Sequence, residues 1–510
     1  MSDTSTVPRP SNVSMALARD RLGVPSVIFF VLSAATPLTV VAGVMTTGYA
    51  ATGIIGIPLA FLVVGAVLML FSVGYVTMAR HMANAGAFYA YISRGIGRPA
   101  GVAAAWIALC AYNALQVGLY GVIGAAAQPV LEQWFGLELQ WWVVALITWA
   151  LVAMLGVLRV DVNGGVLAVL LVAEVAIILL FDVVELLNPA DGRLTFDTLS
   201  PGNLFVPGIG ALLVLAVLGF VGFESAVVFS EESKDPRRTV PLATYLSVAI
   251  VMCVYALSGW AMSVATGPDR IVAASAEQST ELIFNLAGAH LGSTVVHIGH
   301  ALFLTSVIAA MISFHNTTAR YAFALGRERV LPAALGRTSA RSGAPWVGSV
   351  TQSAFGLFVI VLYAWAGWDP VVQLFYWAGT GGGLGVLLLI TVTAIAVVLF
   401  FARRPSGESL WRRQIAPMSA AAILLVIATL ALMNIATLLG VEPDHPLRWI
   451  VPVVYLVAAA LGVVWALVLH RTRPDVYAAI GLGPESVTAR TGGDVPGPRV
   501  AQEEKAEVGR

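Results

Sequence analysis

The chain has 510 residues, of which 58% are hydrophobic and only 11% charged, at a mean hydropathy of +0.86. No soluble domain of this length has such a composition, and a formal net charge of zero argues against nucleic acid as a partner. The two cysteines, Cys110 and Cys253, lie in apolar runs without metal-ligand spacing. The two lysines, Lys234 and Lys505, permit no G-x-x-x-x-G-K phosphate loop, which disfavours a nucleotide-driven pump. Apolar runs of about 20 residues, each long enough to cross a bilayer, recur along most of the chain.

Residues 1–23 are polar, lack the apolar core of a cleavable signal peptide and read as a cytoplasmic tail. The pattern predicts helix 1 over 24–50, interrupted at Pro37. Proline inside a helix removes a hydrogen bond, at a cost of about 3 kcal/mol, and pushes the preceding Thr36 out of helical geometry. Thr36 is a good N-cap and Pro37 a good first residue, so a new helix is expected to start there, its free N–H groups suited to an anion. The competing reading is an ordinary proline kink. Helix 2 is predicted over 56–78, followed by a polar-aromatic loop over 79–101. Helix 3, 101–130, carries Asn113, Gln116 and Tyr120 on one face, where they line a cavity or bond a neighbouring helix. Helices 4 and 5 are predicted over 141–158 and 162–187. Helix 5 holds Glu174 near its centre, with Asp182 and Glu185 read as interfacial.

Helix 6 starts at 208 as an apolar run, but Gly219 and Gly222 fall in its middle beside Phe220, Phe223 and Glu224. Each glycine weakens a helix by about 1 kcal/mol relative to alanine, and a carboxylate at membrane depth marks a functional site by default. A helix broken at the midplane beside an acid is a transporter pattern, and a kinked packing helix is the alternative. The break in helix 1, five helices earlier, favours the first. Helices 7–12 are predicted over 241–266, 291–326, 347–366, 371–401, 415–439 and 449–469, with a short exterior helix near 276–288. Residues 471–510 are polar and predicted to be disordered. With the N-terminus in the cytoplasm, 25 of the 28 lysines and arginines fall on cytoplasmic segments, and only Arg193, Arg270 and Arg448 fall outside. That bias predicts twelve spans with both termini inside.

Four segments together resemble the amino acid–polyamine–organocation superfamily, specifically bacterial amino acid permeases. They are AGAFYAYISRGIGRPAG between helices 2 and 3, AYNALQVGLYG in helix 3, GFVGFESAVVFSEESKDPRRTVPLA in helix 6, and SFHNTTARYAFALGRERVLP at the end of helix 8. The resemblance spans about residues 20–400. It implies an all-α membrane protein with two inverted five-helix repeats, over 24–187 and 207–402, and two further helices over 414–470. Helices 1 and 6 are unwound at the substrate site in that fold. In such proteins the substrate carboxylate meets the helix 1 break, the amine meets carbonyls at the breaks, and an aromatic of helix 6 covers the site. Carried onto this sequence, the carboxylate site includes Ala35, Thr36, Leu38 and Thr39. The amine site includes Gly219 and Gly222, with Phe220 or Phe223 as the lid and Asn113 as a pocket asparagine. One departure is Ala34-Ala35-Thr36-Pro37, which stands where many members have a glycine-rich triplet.

The resulting expectation is a secondary transporter of the bacterial plasma membrane, a monomer or homodimer in the lipid bilayer, importing an α-amino acid without an organic cofactor. Sodium-coupled relatives hold an ion between helices 1 and 8, where Thr305 and Ser306 offer hydroxyls. Some proton-coupled members place a lysine on helix 5, where this chain has Glu174. Burial raises a carboxyl pKa, so Glu174 is the favoured proton carrier, with Glu224 as its rival. Either acid has a structural alternative as a brace for a broken helix. The sequence lacks H-E-x-x-H and G-x-S-x-G, which argues against an enzyme, and shows no filter of a channel. A polyamine or organic-cation carrier and a transporter-like nutrient sensor are the alternatives.

Overall fold

A backbone in lipid must satisfy its own N–H and C=O groups, and this chain does so with helices. The structure is a computed structural model that describes residues 13–14, 17 and 20–486, apart from 83, 159 and 405. Ten helices among the described residues are long and apolar enough to cross a membrane. Helix 4, Trp141–Gly156, is apolar but shorter, and helix 5 is Val160–Leu187. The chain is therefore an all-helical, multi-pass membrane protein.

Helix 3, Arg98–Phe135, is the longest and lies against helices 4, 8, 10 and 12. Helix 10 starts under the side chain of Asp369, which accepts from the N–H groups of Val371 and Val372 at 2.8 and 2.6 Å, and runs to Arg403. Its glycines let other helices come close. A Cβ at Gly382 would lie 2.8 Å from the Ala111 carbonyl oxygen of helix 3, and one at Gly385 would lie 2.6 Å from the Tyr455 ring of helix 12. Close approach is what small residues supply between helices that have no hydrophobic drive to associate in lipid.

Four segments depart from the sequence expectations. The loop over 79–101 contains a buried helix, Ala87–Gly95, and the exterior segment folds as two helices, Ile271–Gln278 and Leu282–Leu291, separated at Ser279. Asp182 and Glu185, near the outer end of helix 5, are not exposed there but buried in the protein, at 0% and 1% exposure. The described part of the C-terminal segment, residues 471–486, is ordered, and residues 487–510 lie outside the described residues. Helix Pro474–Ala479 leads Gly481 and Gly483 to Glu328, whose carboxylate accepts both N–H groups at 2.6 and 2.7 Å. Polar composition predicted disorder there, yet one buried carboxylate with two amide donors and the Tyr89 hydroxyl at 2.5 Å anchors the segment.

Candidate functional site

The proline in helix 1 acts on the residue before it. Helix 1 runs Val24–Ala35, Thr36 adopts φ 45° and ψ 67°, and a second helical stretch starts at Pro37. A β-branched residue in that left-handed region stores about 1–3 kcal/mol, tolerated where the surroundings over-determine it. The Tyr255 hydroxyl of helix 7 donates to the Ala35 carbonyl at 2.8 Å, and the Ser313 hydroxyl of helix 8 donates to the Phe30 carbonyl at 2.9 Å.

Thr36 stands at the N-cap, but its hydroxyl makes no capping bond. The expected cap is corrected in this respect, because the left-handed backbone departs from the extended geometry that aims an N-cap side chain at the first turn. Glu174 of helix 5 fills the position instead. Its Oε1 accepts from the Leu38 N–H at 2.6 Å and from the Ser306 hydroxyl of helix 8 at 2.7 Å. Ser306 Oγ also lies 3.3 Å from Thr39 Oγ1. A carboxylate at a helix N-terminus is stabilised by the free donors and the macrodipole. Glu174, Ser306, Leu38 and Thr39 thus form one node joining helices 1, 5 and 8. Thr305 is outside it, its hydroxyl donating to the Leu302 carbonyl of its own helix.

Helix 6 runs Ile209–Phe220, turns through 221–224 and resumes at Ser225. Gly222 has φ 117°, a conformation that favours glycine, and a Cβ there would lie 2.5 Å from the Ala34 Cβ. The two breaks therefore touch. Glu224 braces its own turn, accepting from the Gly222 N–H at 2.9 Å and from the Tyr112 hydroxyl of helix 3 at 2.7 Å. Tyr75 of helix 2 donates to the Glu224 carbonyl at 3.2 Å. The pairing of Tyr112 with Glu224 had no signal in the sequence beyond two polar side chains in apolar helices.

Beside the breaks lies a cavity of about 80 Å³, several times what a single buried water needs. Ala34, Ala35, Thr36 and Thr39 line it at the break, with Leu218 and Val221 from helix 6 and Gly379 from helix 10. It continues along helix 1 as far as Thr47, eleven residues past Thr36, which is about 16 Å at the helical rise. That is toward the end of the bundle opposite the N-terminus. No charged side chain among the described residues lines it.

Phe220, Phe223 and Asn113 are not part of this lining. The Phe220 ring packs at 6.0 Å from Phe61 and 5.9 Å from Tyr255, and Phe223 packs edge-on to Phe71. Asn113 donates to the Leu109 carbonyl of its own helix. Gly219 packs closely on Phe61 and Val40, and Leu38 is buried.

The end of the bundle nearer the N-terminus is sealed. Arg320 of helix 8 holds Glu232 with two bonds of 2.6 and 3.0 Å, both residues 1% exposed. Its guanidinium also covers the Phe229 ring at 4.7 Å. Arg327 holds Glu231 with two bonds of 2.7 Å. The N-terminal strand of backbone joins this seal, since the N–H groups of Arg21 and Leu22 both donate to the Glu232 carbonyl.

A family model described as amino acid permease matches residues 26–475. The chain is 27% identical over 344 residues to an uncharacterized transporter of Mycobacterium tuberculosis, covering 66% of this chain and 72% of that protein. It is 27% identical over 241 residues to the chloroplastic cationic amino acid transporter 7 of Arabidopsis thaliana. That match covers 42% of this chain and 39% of the relative, so it spans well under half of the relative's length. The low-affinity putrescine importer PlaP of Escherichia coli is 24% identical over 286 residues, or 54% of this chain and 60% of that protein.

Proposed function

The chain belongs to the amino acid permease family, and from that premise we propose that it imports a zwitterionic α-amino acid by proton-coupled alternating access. The arrangement is twelve spans, two inverted five-helix repeats and both termini in the cytoplasm of a bacterium. The observation that supports this reading most is the cavity at the two breaks, apolar and free of charged side chains among the described residues. A substrate there must find its counter-charges in the backbone. The amine meets the negative end of the helix 6 segment Ile209–Phe220, and the carboxylate meets the positive end of the stretch that starts at Pro37, beside the Leu38 N–H that Glu174 already holds. A substrate with an additional charge would lie unpaired, which costs more than a neutral side chain does.

Glu174 couples the cycle to protons. Ionised, it accepts from Leu38 and Ser306 and holds the start of the second half of helix 1 against helices 5 and 8. Protonation removes the charge from that hydrogen bond, roughly halves its strength and loosens the hold. The described conformation has its cavity toward the end opposite the N-terminus and its seal at Glu232–Arg320, which corresponds to a state facing outward.

The test is uptake into liposomes across a panel of amino acids and putrescine, driven by a pH gradient without sodium. Neutral amino acids are expected to compete best, and Glu174→Gln is expected to abolish the pH drive. Preference for putrescine over every amino acid would move the substrate to the organic cations, the reading that the E. coli relative favours. Sodium-dependent uptake that ignores pH would overturn proton coupling. Binding without any uptake would favour a sensor.

A further inference from the structure

Helix 5 carries two more acids on the face that bears Glu174. Positions 174, 178, 182 and 185 recur at helical spacing, so Glu174, Ile178, Asp182 and Glu185 form one stripe. All four are buried. Asp182 Oδ2 accepts from the Ser258 hydroxyl of helix 7 at 2.9 Å. Among the described residues, Asp182 Oδ1 and both Glu185 carboxyl oxygens have no hydrogen-bond partner. Glu185 lines a polar pocket of about 280 Å³ with Asn188, Gln278, Asn285 and His290, distinct from the cavity at the breaks.

A buried carboxylate that lacks hydrogen-bond donors needs a positive partner or a proton. Among the described residues no such cation is paired with Asp182 or Glu185. Helices 1 and 2, over 24–79, contain no lysine or arginine, and those of helices 7 and 8 lie near the opposite end. Arg270, the one arginine of the segment 267–291, pairs with Asp191 at the exposed surface. The titratable groups on the surrounding elements are few. Tyr49 of helix 1 donates to the Gly259 carbonyl, and Tyr255 of helix 7 donates to Ala35. His290 lines the pocket, and His300 of helix 8 pairs with Glu281 at 2.9 Å. His297 turns to Trp134 instead. None is a fixed cation facing the pair.

We propose that Asp182 and Glu185 form a second proton-binding site, reached from the pocket at the end of the bundle opposite the N-terminus. Glu185, one turn from Asp182, lies in the wall of that pocket, so a small turn of its side chain brings the carboxyl to water there. Water gives up a proton to the Glu185 carboxylate and leaves as hydroxide, or hydronium gives one up and leaves as water. The proton passes to Asp182 as Glu185 regains its negative charge. Two neighbouring buried carboxylates repel, so the pair holds at least one proton before both ionise. Ser258, which holds Asp182, stands one turn along helix 7 from Tyr255, whose hydroxyl holds the carbonyl of Ala35 at the break. The site's part in transport rests on the proton-coupled reading above, whereas the presence of the bound proton does not.

Infrared spectroscopy of the full-length protein in bilayers at neutral pH separates the two, because protonated carboxyls absorb apart from carboxylates. The Asp182→Asn/Glu185→Gln variant is expected to lose part of the protonated-carboxyl absorbance of the wild type, and Ile178→Val to lose none. Unchanged absorbance in the double variant overturns the proposal. Absorbance that appears in the wild type only after sodium is removed also overturns it, since the pair would then hold a metal cation. In liposomes, Glu185→Gln is expected to lose most of the pH dependence of uptake while its uptake at one fixed acidic pH persists. An unshifted pH profile would remove the pair from the cycle. Absence of any amino acid uptake by the wild type would sink the proposed function and leave the infrared result standing.

Discussion

At the scale of single residues, two positions carry more constraint than their neighbours. Gly222 combines a φ of 117° with Ala34 at contact distance, so an added methyl meets both backbone strain and a steric clash. Strain of about 1–3 kcal/mol and overpacking of a similar size add there. Gly222→Ala is expected to lower the midpoint of thermal unfolding and abolish uptake, whereas alanine at the open Gly379 is expected to fold normally. The second position is Arg320. Removing one partner of a buried, doubly bonded ion pair leaves the other charge unpaired, at about 3–5 kcal/mol. Arg320→Met is expected to destabilise the protein by that order, and Arg320→Met/Glu232→Met to recover most of the loss. A double variant no more stable than the single one would show that the pair contributes net stability as an ion pair.

Among elements, the helix 1 break shows how a local rule is completed from far away. Pro37 stops the helix by itself, yet the group that satisfies the freed Leu38 donor lies 136 residues further along the chain, on helix 5. The C-terminal segment 474–486 is held in the same way, by Glu328 just past the end of helix 8. Burial raises the Glu328 carboxyl pKa, while Tyr89, the two glycine amides and Arg327 pull it back. Its folded pKa still stands above the ordinary carboxylate value, so the stability it contributes is fully present at acidic pH and is lost as pH rises through that raised value. Glu328→Ala removes the anchor. Limited proteolysis is expected to cut after helix 12 several-fold faster in that variant, with the spans intact. An unchanged cleavage rate would mean that apolar contacts of Val476 and Ile480 suffice.

Over the whole molecule, the asymmetry between the two ends is the feature tied to transport. One end has a buried and a partly buried arginine–glutamate pair, with the N-terminal backbone held at the buried one. The other has the cavity and a polar pocket. A thiol-reactive probe on Thr47→Cys is expected to react from the side opposite the N-terminus, and substrate is expected to slow it. Labelling of that cysteine only from the side of the N-terminus would contradict an outward-facing state.

Composition and hydropathy by themselves determined that the chain is a multi-pass membrane protein, because the length of an apolar run is a local property that maps directly onto bilayer thickness. Pro37 and the Gly219–Gly222 pair were legible for the same reason, since backbone preference belongs to the residue. What only the tertiary structure decided was direction. Helices that are apolar all round carry no stripe to fix their rotation, so the sequence alone left Phe220 free to cover a ligand and left Asp182 and Glu185 at the interface. Packing turned Phe220 onto Phe61 and Tyr255, and turned both acids inward. It also brought Glu174, rather than the Thr36 hydroxyl, to the helix 1 donor. Each outcome depends on which neighbour stands at which angle, and that information is spread over elements far apart in the chain.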